Sequence, residues 1–208
     1  MHGNLVGMSR RAVQPAAVPS VGEHAEENLQ FIRRTMERSS TFTAVPGMGG
    51  AAMGAIGLAA AIVAANQPSA ERWLIVWLLA AAVAVTVGVI AVLRKAARLD
   101  APLAGPVGRR FAMSLAGPLV AGAALTFGVW RSGDQALMPA VWLLLYGTAV
   151  LGGGAFSVAA VRMLGAAFIT LGVFALVTPP AWGNVWLGVG FGVLHIACGL
   201  YIAKRHGG

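Results

Sequence analysis

Six apolar runs, each close to the length of a bilayer crossing, leave this chain few ways to fold. They fall at about 46–65, 73–93, 111–130, 138–157, 159–178 and 182–203, near the ~20 residues that a helix needs to cross ~30 Å of hydrocarbon. Inside lipid each backbone N–H and C=O must find its partner within the segment, so runs of this length are read as helices. The predicted fold is all-α, a polytopic six-transmembrane-helix bundle over 46–203. Composition agrees: 58% hydrophobic and 11% charged residues, with a mean hydropathy of +0.76, exclude an ordinary soluble domain. The fourth and fifth runs are joined through Ser157 to Arg162 almost without a linker, which requires a tight helical hairpin. Laid over one another, the first and last three runs show no repeat, so an inverted-repeat transporter is unsupported.

Loop charges set the expected orientation. Arg10, Arg11, Arg33, Arg34 and Arg38 precede the first run; Arg94, Lys95, Arg98, Arg109 and Arg110 follow the second. Arg162 lies in the fourth loop, and Lys204 and Arg205 in the short tail 204–208. The alternate loops hold only Arg72 and Arg131. Cationic loops stay on the cytoplasmic side, so both termini are expected there. Trp73, Trp77, Trp130, Trp142, Trp182 and Trp186 all sit at the opposite ends of their runs. That pattern reads as an outer aromatic belt at one membrane surface. The same indoles, extended by Tyr146 one turn below Trp142, would alternatively line a pocket. The net charge of +8 is accounted for by orientation and anionic lipid rather than by nucleic acid, because the cations cluster at run ends. Arginine-rich cations with abundant alanine and glycine point to a bacterial gene, and hence to the cytoplasmic (inner) membrane.

Ahead of the first run lies the one amphipathic charged element, residues 20–40, preceded by a tail (1–19) that lacks the apolar core of a cleavable signal and is expected to be disordered. Ser20 and Glu23 have capping-box spacing. Ala25, Leu29, Ile32 and Met36 share one helical face, with Phe31 off it. Glu23, Glu26 and Glu27 occupy the first turns and Arg33, Arg34 and Arg38 the later ones, an order that suits the helix dipole. Such a helix lies at the lipid interface or against its own bundle, or offers residues 21–38 to a cytoplasmic protein partner. Leu29, Phe31, Ile32, Met36, Arg33 and Arg34 are the interface candidates.

Glycine stripes predict how the spans pack. Gly47, Gly50, Gly54 and Gly57 line one face of the first span, and Gly188, Gly192 and Gly199 line one face of the sixth. Small residues let helix backbones approach where lipid supplies no hydrophobic force. Each stripe serves a neighbouring span or, alternatively, a homo-oligomer contact. Gly152, Gly153 and Gly154 are expected to loosen the end of span four, and Pro118 to kink span three near Ser114. His195 fills the missing position of the sixth-span stripe. An ionisable group at that depth is a functional candidate. It is read chiefly as a neutral histidine hydrogen-bonded between helices, with cofactor ligation or proton relay as alternatives. No second histidine lies in a span, Cys198 is the single cysteine, and the carboxylates outside the lead helix (Glu71, Asp100, Asp134) fall in loops. A metal site, a resident cofactor, carboxylate-coupled transport and the familiar hydrolase and nucleotide motifs are therefore not expected, nor is an enzyme.

The lead E-N-L-x-F-I-R-x-T-M-E-R-x-x-x-F-T-x-V-P-G-x-G, from Glu27 to Gly49, resembles that of a group of uncharacterised bacterial six-span integral membrane proteins. The resemblance covers this lead and the six-span layout, and implies no activity or ligand. It directs attention to Asn28, Arg33, Glu37, Phe42, Thr43 and Pro46 as interface positions.

Three functions remain open from sequence. The first is a non-enzymatic membrane component or regulatory subunit that engages a partner through 21–38. The second is a small transporter or channel for a neutral or lipophilic solute. The third is a haem- or quinone-binding protein using His195.

Overall fold

The computed structural model describes residues 45–99 and 105–206, together with positions 22, 26, 28–32 and 36. Six helices are long and apolar enough to cross a membrane, and the chain is an all-α six-helix bundle. α1 is Gly47–Ala65, α2 Ala70–Arg98, α3 Pro106–Ser132, α4 Met138–Gly154 and α5 Ala159–Val177. α6 is composite: an α-helical Gly183–Leu187, a π-helical Gly188–Leu194 and an α-helical His195–His206.

Two helices overrun the apolar runs that predict them. α2 begins where Ser69 accepts a hydrogen bond from the Arg72 amide (3.3 Å), with Glu71 in its first turn and Lys95 and Arg98 in its last. Acidic and basic residues at those ends suit the helix dipole, so cations assigned to a loop instead close a helix. Pro106 starts α3 in the same way, its fixed φ and missing N–H suiting a first turn, and Arg109 and Arg110 become helical. α3 is helical on both sides of Pro118, and the Ser114 hydroxyl donates to the Arg110 carbonyl at 2.9 Å. Gly133, at φ 83°, ends that region in the left-handed conformation that glycine takes without strain. Between α4 and α5 the turn is as tight as the sequence requires: the Ala155, Phe156 and Ser157 amides bond back to Gly152, Gly153 and Gly154. The glycine run stays helical to its end.

Neighbouring helices run antiparallel, and packing is closest where glycines face backbone. The two glycine stripes meet each other. A Cβ on Gly54 would lie 2.6 Å from the Ile196 amide nitrogen, and one on Gly199 would lie 2.6 Å from the Gly47 carbonyl. Each stripe is thus occupied by the other within one chain, Gly50 resting near Gly199 and Gly188 on Ala61. α4 and α5 interlock similarly through Gly147, Gly165 and Gly172. At the centre, Leu143, Phe168 and Leu187 are fully buried, with Trp77, Ala60 and Ala64 beside them. α2 packs on α1 and α3 on α4, whereas α2 and α3 meet at one end, where Val107 and Phe111 pack against Ala96.

The lead segment forms a separate unit ending at Ser39. Its described positions are helical, and Leu29, Phe31, Ile32 and Met36 are exposed. The tail 1–19, the Ser20–Glu23 cap, Arg33, Arg34, Glu37, Phe42 and Thr43 lie outside the described residues.

Candidate functional site

The gap between α2 and α3 is a cleft of about 240 Å³ with an almost wholly apolar wall. Leu78, Ala81 and Val85 of α2 form one side; Pro118, Leu119 and Ala123 of α3 form the other. The small side chains of Ala81 and Ala123 at these facing positions leave the space open. Tyr146 from α4 and His195 from α6 line it as well.

His195 is 5% exposed and sits in an aromatic cage. Phe168 meets its ring edge-on at 5.2 Å, Phe191 stacks at 6.1 Å, and the Tyr146 ring lies 5.4 Å away. Its Nδ1 is 3.3 Å from the carbonyl of Gly190, five residues back in the π-helical segment. Its Nε2 is 2.8 Å from the Tyr146 hydroxyl. A carbonyl only accepts, so Nδ1 carries the proton and donates to Gly190. A buried imidazole without a charged partner is neutral and has one N–H. Nε2 therefore accepts, and the Tyr146 hydroxyl donates to it. π-helical turns recur at functional sites because the widened turn re-aims side chains. Here Gly190 itself has no room for a side chain: a Cβ would lie 2.7 Å from Leu143 Cδ2 and 3.0 Å from Phe168 Cε1.

Above this pair the indoles turn inward. Trp73 and Trp77 both donate to Asn184 Oδ1, at 3.0 and 3.1 Å, while Asn184 Nδ2 donates to the Ala61 carbonyl at 2.8 Å. Trp142 donates to Thr126 Oγ1 at 2.8 Å, and that hydroxyl donates to the Gly122 carbonyl at 2.7 Å. Trp186 donates to Thr178 at 2.9 Å. Trp73, Trp77, Trp142 and Trp186 therefore pair their N–H groups within the protein, at the end of the bundle where a membrane-surface belt is expected. Each finds a protein acceptor for its N–H, and Trp77 is only 5% exposed. Trp182 remains exposed and Trp130 is half-buried. The alternative reading, indoles beside a pocket, fits Trp77 and Trp142, which line the cleft. Trp73 stacks on Trp142 (5.6 Å, 7°) and borders a second, more polar hollow of about 540 Å³ at the chain end of the bundle where the indoles gather. Of the stacked pair, Trp142 lines the cleft and Trp73 the second hollow.

His195, Pro118 and Gly57 of the sequence candidates thus come to the cleft, whereas Gly47, Gly50, Gly54, Gly188, Gly192 and Gly199 serve packing. Asn184, Thr126, Phe168 and Phe191 were not singled out by sequence. Asn184 carries a signal in retrospect, an amide side chain within an apolar run; the phenylalanines carry none. Lys95 is another departure: it is 7% exposed and donates to the Val45 carbonyl at 3.1 Å. Among the described residues no group of three metal-ligating side chains occurs. No protein-family model, curated protein or solved structure matches this chain.

Proposed function

We propose that this chain is a non-enzymatic component of the bacterial inner membrane, with both termini cytoplasmic, that holds a lipophilic molecule in the cleft between α2 and α3. The observation that supports it is the pairing of an apolar opening with a buried Tyr146–His195 hydrogen bond in its wall. Ligand sites combine an apolar lining with a few placed polar groups, as this one does. The volume of about 240 Å³ accommodates a short isoprenoid, a quinone ring or the end of an acyl chain, not a haem. His195 already uses both ring nitrogens within the protein, which favours a hydrogen-bonding role over metal ligation. Native mass spectrometry of protein taken gently from its own membranes tests the reading. A lipophile should co-purify with the wild type, and Ala81→Phe with Ala123→Phe should displace it by filling the cleft. Equal retention by the filled variant would refute the site.

A second reading concerns the lead helix. Leu29 is 67% and Ile32 52% exposed, an apolar face for the lipid interface or a cytoplasmic partner. In a Cys198→Ser background, Leu29→Cys should react slowly with a water-soluble maleimide if that face is covered in membranes. Rapid reaction there, equal to that in denaturant, would leave it uncovered and dismiss this second reading.

A further inference from the structure

Resting on the cleft as a lipophile site, we infer that its occupant presents a hydroxyl group, which donates a hydrogen bond to the Tyr146 oxygen. The inference follows from counting protons. Gly190 fixes the histidine tautomer, because its carbonyl, 3.3 Å from Nδ1, accepts only. Nε2 is then an acceptor, and the single phenolic proton of Tyr146 is committed to it across 2.8 Å. Tyr146 has no proton left to give a ligand, yet its oxygen keeps lone-pair capacity, and among the described residues nothing donates to it. The other polar groups at the cleft wall are engaged: the Trp77 indole on Asn184, the Trp142 indole on Thr126, and the Thr126 hydroxyl on Gly122. A ligand carbonyl, ether or ester oxygen would meet no free donor there and would lose its hydrogen bond to water or headgroups. A ligand hydroxyl would meet a phenolic acceptor. The ligand class is therefore an alcohol or phenol on a hydrocarbon chain or ring, such as a prenyl alcohol or a reduced quinone, rather than an aldehyde, ester or oxidised quinone.

Farnesol, farnesyl methyl ether and farnesal, which share one hydrocarbon body, separate the possibilities. With the full chain in lipid nanodiscs, saturable binding is followed by indole emission and corrected for membrane partition. The wild type should prefer farnesol to either analogue by roughly fivefold to tenfold, the difference of one hydrogen bond. Tyr146→Phe should bind all three alike, at the level of the ether. His195→Phe releases the tyrosine proton to any acceptor, so the preference for farnesol over farnesal and the ether should narrow. Equal binding of the three by the wild type, or a preference for farnesal, overturns the hydroxyl inference and leaves the cleft as a lipophile site. A farnesol preference that survives Tyr146→Phe also overturns it. Saturable binding of none of the three overturns both readings together.

Discussion

At the scale of single residues, the polar side chains within the bundle are placed so that none of them is wasted. Among the described residues no buried side-chain nitrogen or oxygen lacks a hydrogen-bond partner, as burial away from water demands. Asn184 concentrates this requirement by accepting from Trp73 and Trp77 at once. Asn184→Leu strands two indole N–H groups, at about 1–3 kcal/mol for each buried donor left unpaired. The variant should melt well below the wild type in the same detergent, and its tryptophan emission should shift; an unchanged melting temperature would contradict the role given to Asn184. His195 was legible as the buried ionisable group of the last span, because a histidine in an apolar run stands out. Its partner was not legible as such. Tyr146 is 49 positions away, and neither spacing nor composition reveals which distant side chains the packing brings together.

At the scale of elements, the glycine stripes were the most informative part of the sequence, and their mutual contact is a matter of tertiary packing that spacing alone leaves open. Gly54→Ala inserts a methyl 2.6 Å from the Ile196 amide nitrogen, and overpacking of this kind costs about 1–3 kcal/mol. Gly128 on α3 has nothing within 4 Å of a built Cβ. Gly128→Ala should therefore hold or raise stability, by up to ~1 kcal/mol through helix propensity. Thermal melts of the two variants beside the wild type test the contrast, and an equal loss in both would show that close approach is not what distinguishes Gly54. Helix ends were read less well. Hydropathy places a boundary where apolar residues stop, whereas α2 continues through Arg94, Lys95 and Arg98. Backbone bonding and the dipole carry the helix beyond the hydrocarbon-like stretch. Periodicity likewise cannot distinguish an indole at a helix end that meets headgroups from one that, like Trp77, meets Asn184.

At the scale of the whole molecule, alternate helices run in opposite directions, so one end gathers Arg94, Arg98, Arg109 and Arg110 and the other gathers the indoles. Six crossings were legible because the bilayer thickness fixes the length of each. The inner and outer faces of the bundle were less so, because spans apolar all round give little sign of which side meets protein. The proposed orientation has a direct check. In a Cys198→Ser background, Asp134→Cys should label with an impermeant maleimide in cells whose outer membrane alone is opened, and Arg98→Cys only after the inner membrane is breached. The opposite pattern would invert the orientation.

Two helices that follow one another in the chain, packed at their Ala96 and Phe111 ends and parted by the cleft beyond, leave a seam that the polypeptide does not close. Whatever amphiphile surrounds the protein completes it, so a purified sample is a joint product of chain and solvent. Detergents matched in headgroup and micelle size but differing in tail girth should then rank differently in the heat they let this protein withstand, slender tails above bulky ones. The Ala81→Phe, Ala123→Phe form, whose seam is plugged by its own rings, should flatten that ranking.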